Sequence, residues 1–158
     1  MSEFRPVEGN FEVTDARFAI VVSRWNGDIT EGLLRGALRA LERQGVPSGS
    51  TVVSRVPGAF ELPLVAKVLA ESGRFDAVIT LGCVIRGDTP HFDYVCSECA
   101  RGVGEAALVT GIPVAFGVLT TDNLEQAQIR SRDDEENKGE EAALSAMEMA
   151  SLLQQLRG

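Results

Sequence analysis

The sequence has one histidine, one tryptophan, one tyrosine and three cysteines among 158 residues. The cysteines, Cys83, Cys96 and Cys99, are odd in number, give no disulfide framework and point to a reducing compartment. Cys96-Ser-Glu-Cys99 has C-x-x-C spacing, but it falls more than a turn into a helical pattern. A redox pair belongs at a helix N-terminus, where the dipole lowers a thiol pKa. A zinc site needs four ligands, and the rest of the chain offers only Cys83 and His91 as soft or nitrogen donors. Both thiols therefore read as helix packing, and no metal is expected. No apolar run is long enough to span a bilayer, and Met-Ser-Glu-Phe-Arg-Pro at the start has no signal-peptide core, so no membrane partner is expected. Basic residues number 15 against 23 acidic ones, a net charge of −8. That balance argues against general nucleic-acid binding, which needs a basic surplus to neutralise phosphates, but allows one small anion at a local Arg or Lys. No G-x-G-x-x-G follows the first apolar run and no Walker lysine motif occurs, so generic nucleotide binding is disfavoured.

What is present is ordinary for a globular protein: 44% apolar and 24% charged residues. The length fits one domain, residues 1–158, with residues 1–10 as a loosely attached N-terminal extension. Strand and helix patterns alternate. Phe18 to Ser23 reads as a buried strand, then Trp25-Asn26-Gly27-Asp28 as a turn. Asp28 is placed to cap a helix, with Glu31 completing a capping-box-like pair. That helix carries Ile29, Leu33, Leu34, Ala37, Leu38 and Leu41 on one face and ends at Gly45. Further strands are expected at Thr51 to Val56, Asp76 to Ile85 and Pro113 to Leu119. Helices are expected from Phe60 to Ser72, from His91 to about Thr110, from Asn123 to about Ser131 and from Asn137 to Leu156, with a charged connector from Arg132 to Glu136. Such alternation implies a three-layer α/β/α sandwich with a four-stranded parallel sheet covered on both faces, flavodoxin-like.

The function-bearing feature is the placement of the sole histidine. Val78, Ile79, Leu81, Val84 and Ile85 form a buried strand, Gly87-Asp88-Thr89-Pro90 a turn, and His91 opens the next helix. The one side chain that titrates near neutral pH thus stands at the carboxyl end of a strand, where open α/β sheets place ligands. The alternative is a helix-start or core histidine satisfied by a backbone group. Four segments emerge at that edge: Trp25-Asn26, Pro57 to Glu61, Gly87 to His91, and Phe116 to Asn123. Trp25 offers a stacking surface for a flat ring, or packs at the sheet edge.

Four segments together resemble the lumazine synthase family: Ser23-Arg24-Trp25-Asn26, Val56-Pro57-Gly58-Ala59-Phe60-Glu61-Leu62-Pro63, Gly82 to Tyr94, and Gly117-Val118-Leu119-Thr120-Thr121 with Asn137-Lys138-Gly139 downstream. The resemblance covers about residues 9 to 155. It implies condensation of 5-amino-6-(D-ribitylamino)uracil with 3,4-dihydroxy-2-butanone 4-phosphate to 6,7-dimethyl-8-ribityllumazine, phosphate and water. This is the penultimate step of riboflavin biosynthesis, without a metal or organic cofactor. By the same resemblance, His91 is the catalytic acid/base. The uracil substrate is met by Trp25, Asn26, Ala59, Phe60, Glu61, the backbone of Cys83, Val84 and Ile85, Phe116 from a neighbouring subunit, and Lys138. The phosphate is met by backbone groups at Asp88 and Thr89, the Thr89 hydroxyl and Arg130. Asp88 is read as a backbone contact because its carboxylate would repel phosphate. The resemblance also implies a cytoplasmic homopentamer, icosahedral shells of sixty subunits in some members, and riboflavin synthase as a partner. A competing reading is a flavodoxin-like ligand carrier or shell-forming structural protein. A flavin carrier would normally offer a phosphate loop after the first strand, where this chain has Arg24-Trp25-Asn26-Gly27-Asp28.

Overall fold

The computed structural model describes residues 3–158. Four strands, β1 (Phe18–Ser23), β2 (Thr51–Val56), β3 (Ala77–Ile85) and β4 (Val114–Thr121), form one parallel sheet in the order β2-β1-β3-β4. The two central strands are the most continuous apolar runs in the sequence, as strands buried on both faces must be. All six residues of β1 are buried, as are the first seven of β3. Five helices connect and cover them: α1 (Gly27–Arg43), α2 (Leu62–Glu71), α3 (His91–Thr110), α4 (Leu124–Ser131) and α5 (Lys138–Arg157). Strand alternation divides the core into two layers. Phe18, Ile20, Val22, Ile79 and Leu81 pack with Leu33, Ala37 and Met147 of α1 and α5. Ala19, Val21 and Val78 pack with Leu62, Ala66, Cys99 and Val103 of α2 and α3. This is the three-layer α/β/α arrangement. No helix among the described residues is long and apolar enough to cross a membrane.

The α1–α5 contact depends on Gly139, where an added Cβ would stand 2.0 Å from the Leu33 carbonyl oxygen. Beside it, Asn137 is 1% exposed and fully bonded. Its Oδ1 accepts from the amides of Gly139 and Glu140, at 2.9 and 3.0 Å, which caps α5. Its Nδ2 donates to the carbonyls of Gly32, Ser131 and Arg132 at 3.0 to 3.2 Å. One buried amide thereby ties the α4–α5 connector to α1. Asp133 of that connector meets Arg39 at 2.9 Å and Arg35 at 3.4 Å, and Glu140 in the first turn of α5 meets Arg43 at 2.9 Å. These arginines recur every fourth residue along one side of α1. The hydrogen bond from Arg39 leads the causes that hold the Asp133 carboxyl below its usual range.

Four expectations are corrected. First, α1 begins at Gly27, so Asp28 lies inside the first turn and does not cap it. The N-cap is Asn26 at φ 58°, in the left-handed region that asparagine tolerates. Glu31 is drawn away to Arg55, so no capping box forms. Second, α2 is preceded by a separate 3-10 turn at Ala59–Glu61 and starts at Leu62, with Pro63 in its first turn. Third, β2 is an edge strand on which Val52 and Val53 are exposed, so the sheet is not covered throughout. Fourth, β4 runs on to Thr121, two residues past the expected end at Leu119, so most of the Phe116 to Asn123 segment read as emerging at the edge is strand. Ahead of β1, Gln155 donates to the Glu8 carbonyl at 2.9 Å and the Asn10 amide donates to Ser151 at 3.1 Å. Residues 8–10 thus lie along α5.

Candidate active site

A cavity of about 490 Å³ opens at the carboxyl ends of β1 and β3, between the Gly58–Glu61 turn and the start of α3. Its lining includes Trp25, Asn26, Ala59, Phe60, Glu61, Cys83, Val84, Ile85 and His91, residues scattered over 67 positions of chain, from 25 to 91. Each is positioned by local chemistry. The amides of Arg24 and Trp25 donate to the Pro57 carbonyl at 3.2 and 3.0 Å, which binds the turn after β1 to the turn after β2. The left-handed Asn26 then reverses the chain into α1. Its Nδ2 donates to the Cys83 carbonyl at 3.0 Å. Trp25 lies against Gly58, where an added Cβ would stand 2.5 Å from ring carbon Cε3. The glycine hydrogen is what allows the indole to sit there. With 63% of Trp25 exposed, the indole remains open to a ligand. Glu61 accepts from the Gly58 amide through Oε2 at 3.2 Å. Its Oε1 has no protein partner among the described residues.

His91 is the first residue of α3, and it is exposed. Its amide donates to Thr89 Oγ1 at 3.4 Å. The Thr89 hydroxyl accepts that bond and keeps its own proton to give. The His91 ring has no hydrogen-bond or ionic partner among the described residues. Asp88 and Thr89 are both exposed on the turn just before it. A 20-residue helix starting there supplies unpaired amides and a positive dipole end.

The thiols are chemically quiet. Burial pushes Cys83 and Cys99 up to about 11, and it also raises Cys96. The Cys83 side chain packs in the layer beneath α1 and α5, so it is the Cys83 backbone that bears on Asn26. Among the described residues no group of three or more metal-binding side chains occurs.

Three site residues from the sequence stand elsewhere. Phe116, Arg130 and Lys138 line a second recess of about 320 Å³ along the outer edge of β4. Phe116 pairs with Thr80 in register, well back from the carboxyl ends, and is 44% exposed. Arg130 donates one bond to the Gln126 carbonyl of its own helix at 3.0 Å, leaving most of its five donors unused. Lys138 meets Glu141 at 2.8 Å. Lys138 therefore stands with the arginine, not with the ring-binding candidates. Sequence reasoning missed Gly58, Tyr94 and Val95, which also line the first cavity. Tyr94 is 73% exposed, three residues after His91. Helical spacing puts these two on one face and was a usable signal.

An open parallel sheet with an aromatic cleft at its carboxyl edge, and a tryptophan turn in place of a phosphate loop, is a flavodoxin-like α/β fold with a candidate ligand site where such sheets place one. A family model described as 6,7-dimethyl-8-ribityllumazine synthase matches residues 15–154. The chain belongs to that family. It is a transferase that condenses 5-amino-6-(D-ribitylamino)uracil with 3,4-dihydroxy-2-butanone 4-phosphate to 6,7-dimethyl-8-ribityllumazine, phosphate and water. This is the penultimate step of riboflavin biosynthesis.

Proposed function

We propose that the cavity at Trp25 is the ring half of the active site and that the recess at Arg130 is the phosphate half. The two are joined only when a neighbouring subunit brings its recess to this cavity. One observation carries the reading. The ring cavity is lined by Glu61, Cys83, His91 and Tyr94 but by no arginine or lysine, whereas Arg130 and Lys138 line a separate recess. A phosphate dianion needs cations near the ring substrate, and one chain keeps the two apart.

In this reading the uracil ring stacks on Trp25, with backbone groups of Cys83, Val84 and Ile85 along its edge. The ribityl chain lies over Ala59 and Phe60, its hydroxyls donating to Glu61. Asn26 orients the ring end. Phe116 of the neighbour closes the cleft, and Lys138 of the neighbour stands beside the reactants. The phosphate sits on the amides of Asp88 and Thr89 and the Thr89 hydroxyl, with the neighbour's Arg130 across it. The 5-amino group attacks the ketone and water leaves, giving an imine. Loss of a proton and departure of phosphate give an enol, which tautomerises to a ketone. The ribitylamino nitrogen closes the ring and a second water departs. His91 relays protons in these steps, a role that imidazole suits near neutral pH. No metal or organic cofactor takes part.

The assembly is a cytoplasmic pentamer in this reading. Closure of twelve rings into an icosahedral shell, with riboflavin synthase as a partner, is an extension of the same reading. Native mass spectrometry combined with activity on dilution tests it. The active species should have five times the 16.9 kDa subunit mass or a multiple of that pentamer. An active 16.9 kDa monomer would refute the split site.

A further inference from the structure

Arg86 follows β3 directly and precedes the turn Gly87–Pro90. Its amide extends the β3–β4 ladder by donating to the Thr121 carbonyl at 2.9 Å. Its side chain does not line the ring cavity or the phosphate recess. Instead Nε donates to Asp122 at 2.9 Å, Nη1 lies 3.5 Å from Asp93, and the guanidinium sits 4.4 Å over the Phe92 ring. Asp122 is on the loop from β4 into α4. Phe92 and Asp93 are the second and third residues of α3, directly after His91. Between Arg86 and α3 the turn has little of its own to hold it: the Thr89 contact to the His91 amide and a bond from the Asp93 amide to the Pro90 carbonyl at 2.9 Å. Residues 86 to 91 are all exposed, and Phe92 is the first buried side chain of the helix.

We infer that Arg86 is a positioning residue for the reaction, holding the first turn of α3, and with it His91 and the phosphate-seating turn, against the end of β4. The inference rests on the role proposed for His91. Single exposed ion pairs contribute little stability, and stability is not what this arrangement provides. A planar guanidinium with an acid on each of two elements and an aromatic face beneath it has one orientation that satisfies all three. Lysine cannot reproduce that geometry. The hydrogen bond to Asp122 is also the first cause of the raised Arg86 pKa, so the charge persists at every working pH.

Steady-state kinetics of Arg86→Met, His91→Ala and the double variant test this, with the thermal midpoint measured on each. Displacement of a reacting group by about 1 Å can cost on the order of 10²-fold. Arg86→Met should therefore lower kcat by about 10- to 10²-fold, with the KM of the uracil substrate changed less than about twofold. In the His91→Ala background it should lower kcat no further, because the kcat effect of both changes runs through one imidazole, whereas the phosphate-seating turn is read separately in the KM of the butanone phosphate. Asp122→Ala removes the acceptor at the opposite end of the clamp, on an exposed loop. It should reproduce the kcat loss even if Arg86→Met fails to fold. Parental kcat in both Arg86→Met and Asp122→Ala, beside a clear loss in His91→Ala, overturns this inference alone. An equal further loss on top of His91→Ala also overturns it. A His91→Ala enzyme with parental kcat overturns the His91 role and this inference together.

Discussion

Gly58→Ala probes the stacking surface without touching it chemically. Gly58 has φ −137° and ψ −178°, extended backbone that alanine adopts freely. The obstacle is its neighbour. The new methyl would lie 2.5 Å from Trp25 Cε3 and 2.7 Å from Cζ3. Carbon atoms pack at about 3.5 Å or more, so the indole must retreat by about 1 Å. It has somewhere to go, because Trp25 is 63% exposed and lies outside both core layers. Folding stability should change by no more than about 0.5 kcal/mol. Ligand stacking should suffer more. An aromatic platform contributes about 1–3 kcal/mol per stacked ring. Losing half of that contact, about 0.5–1.5 kcal/mol, corresponds to about a two- to tenfold weaker Kd. The sole tryptophan is its own reporter. Titration with the ribitylaminouracil substrate or the lumazine product should quench its fluorescence saturably in both proteins, with the midpoint about two- to tenfold higher in Gly58→Ala. The KM for the butanone phosphate should move little. An unchanged midpoint would mean that Trp25 does not stack on the ring. A large fall in thermal stability would mean that the indole is part of the core.

Three further outcomes are expected. Arg130→Ala should raise the KM of the butanone phosphate far more than that of the uracil substrate, and equal increases would remove Arg130 from the phosphate site. His91→Ala should lower kcat at or below the lower end of the ~10²–10⁴-fold range for acid–base catalysis, with both KM values little changed, since bound substrates and water share the proton traffic; weakened binding at parental kcat would make His91 structural. Burial pushes the Cys83 and Cys99 thiols from 9.0 up to about 11, so between these values the folded chain keeps protons that the unfolded chain has lost. The stabilisation is present below 9.0 and fades as pH rises towards about 11. Denaturant midpoints should fall with alkaline pH more in the parent than in Cys99→Ala, and parallel curves would contradict it.

The strands were legible because the central ones are buried on both faces, leaving β1 with no polar position until Ser23. His91 at the head of α3 was legible because Gly87 to Pro90 cannot continue a strand. The start of α1 was not legible, because local spacing favoured Asp28 while two non-local contacts decided otherwise: Asn26 reaching Cys83, and Glu31 reaching Arg55. The full length of β4 was not legible: Leu119 looked like its end, and the Phe116 to Asn123 segment like the chain emerging at the carboxyl edge. The ladder to β3 runs on to Thr121 opposite Ile85. Asp133 and Glu140 had no evident partner in sequence, since the arginines that meet them lie almost a hundred residues earlier. The match of Trp25 to Gly58 is a distance, and no residue pattern encodes it.

The most direct test of the split site is complementation between two defective subunits. One carries Trp25→Ala and His91→Ala, which removes the ring half, and the other carries Arg130→Ala, which removes the phosphate half. Each alone should form lumazine poorly from the two substrates. Co-assembled in equal amounts, about one junction in four pairs two intact halves, because each ring contact joins different faces of two subunits. Lumazine formation followed by its absorbance should then recover to about a quarter of the parental rate. If mixed assemblies form but remain no more active than the two variants alone, both halves serve the same chain and the account is wrong.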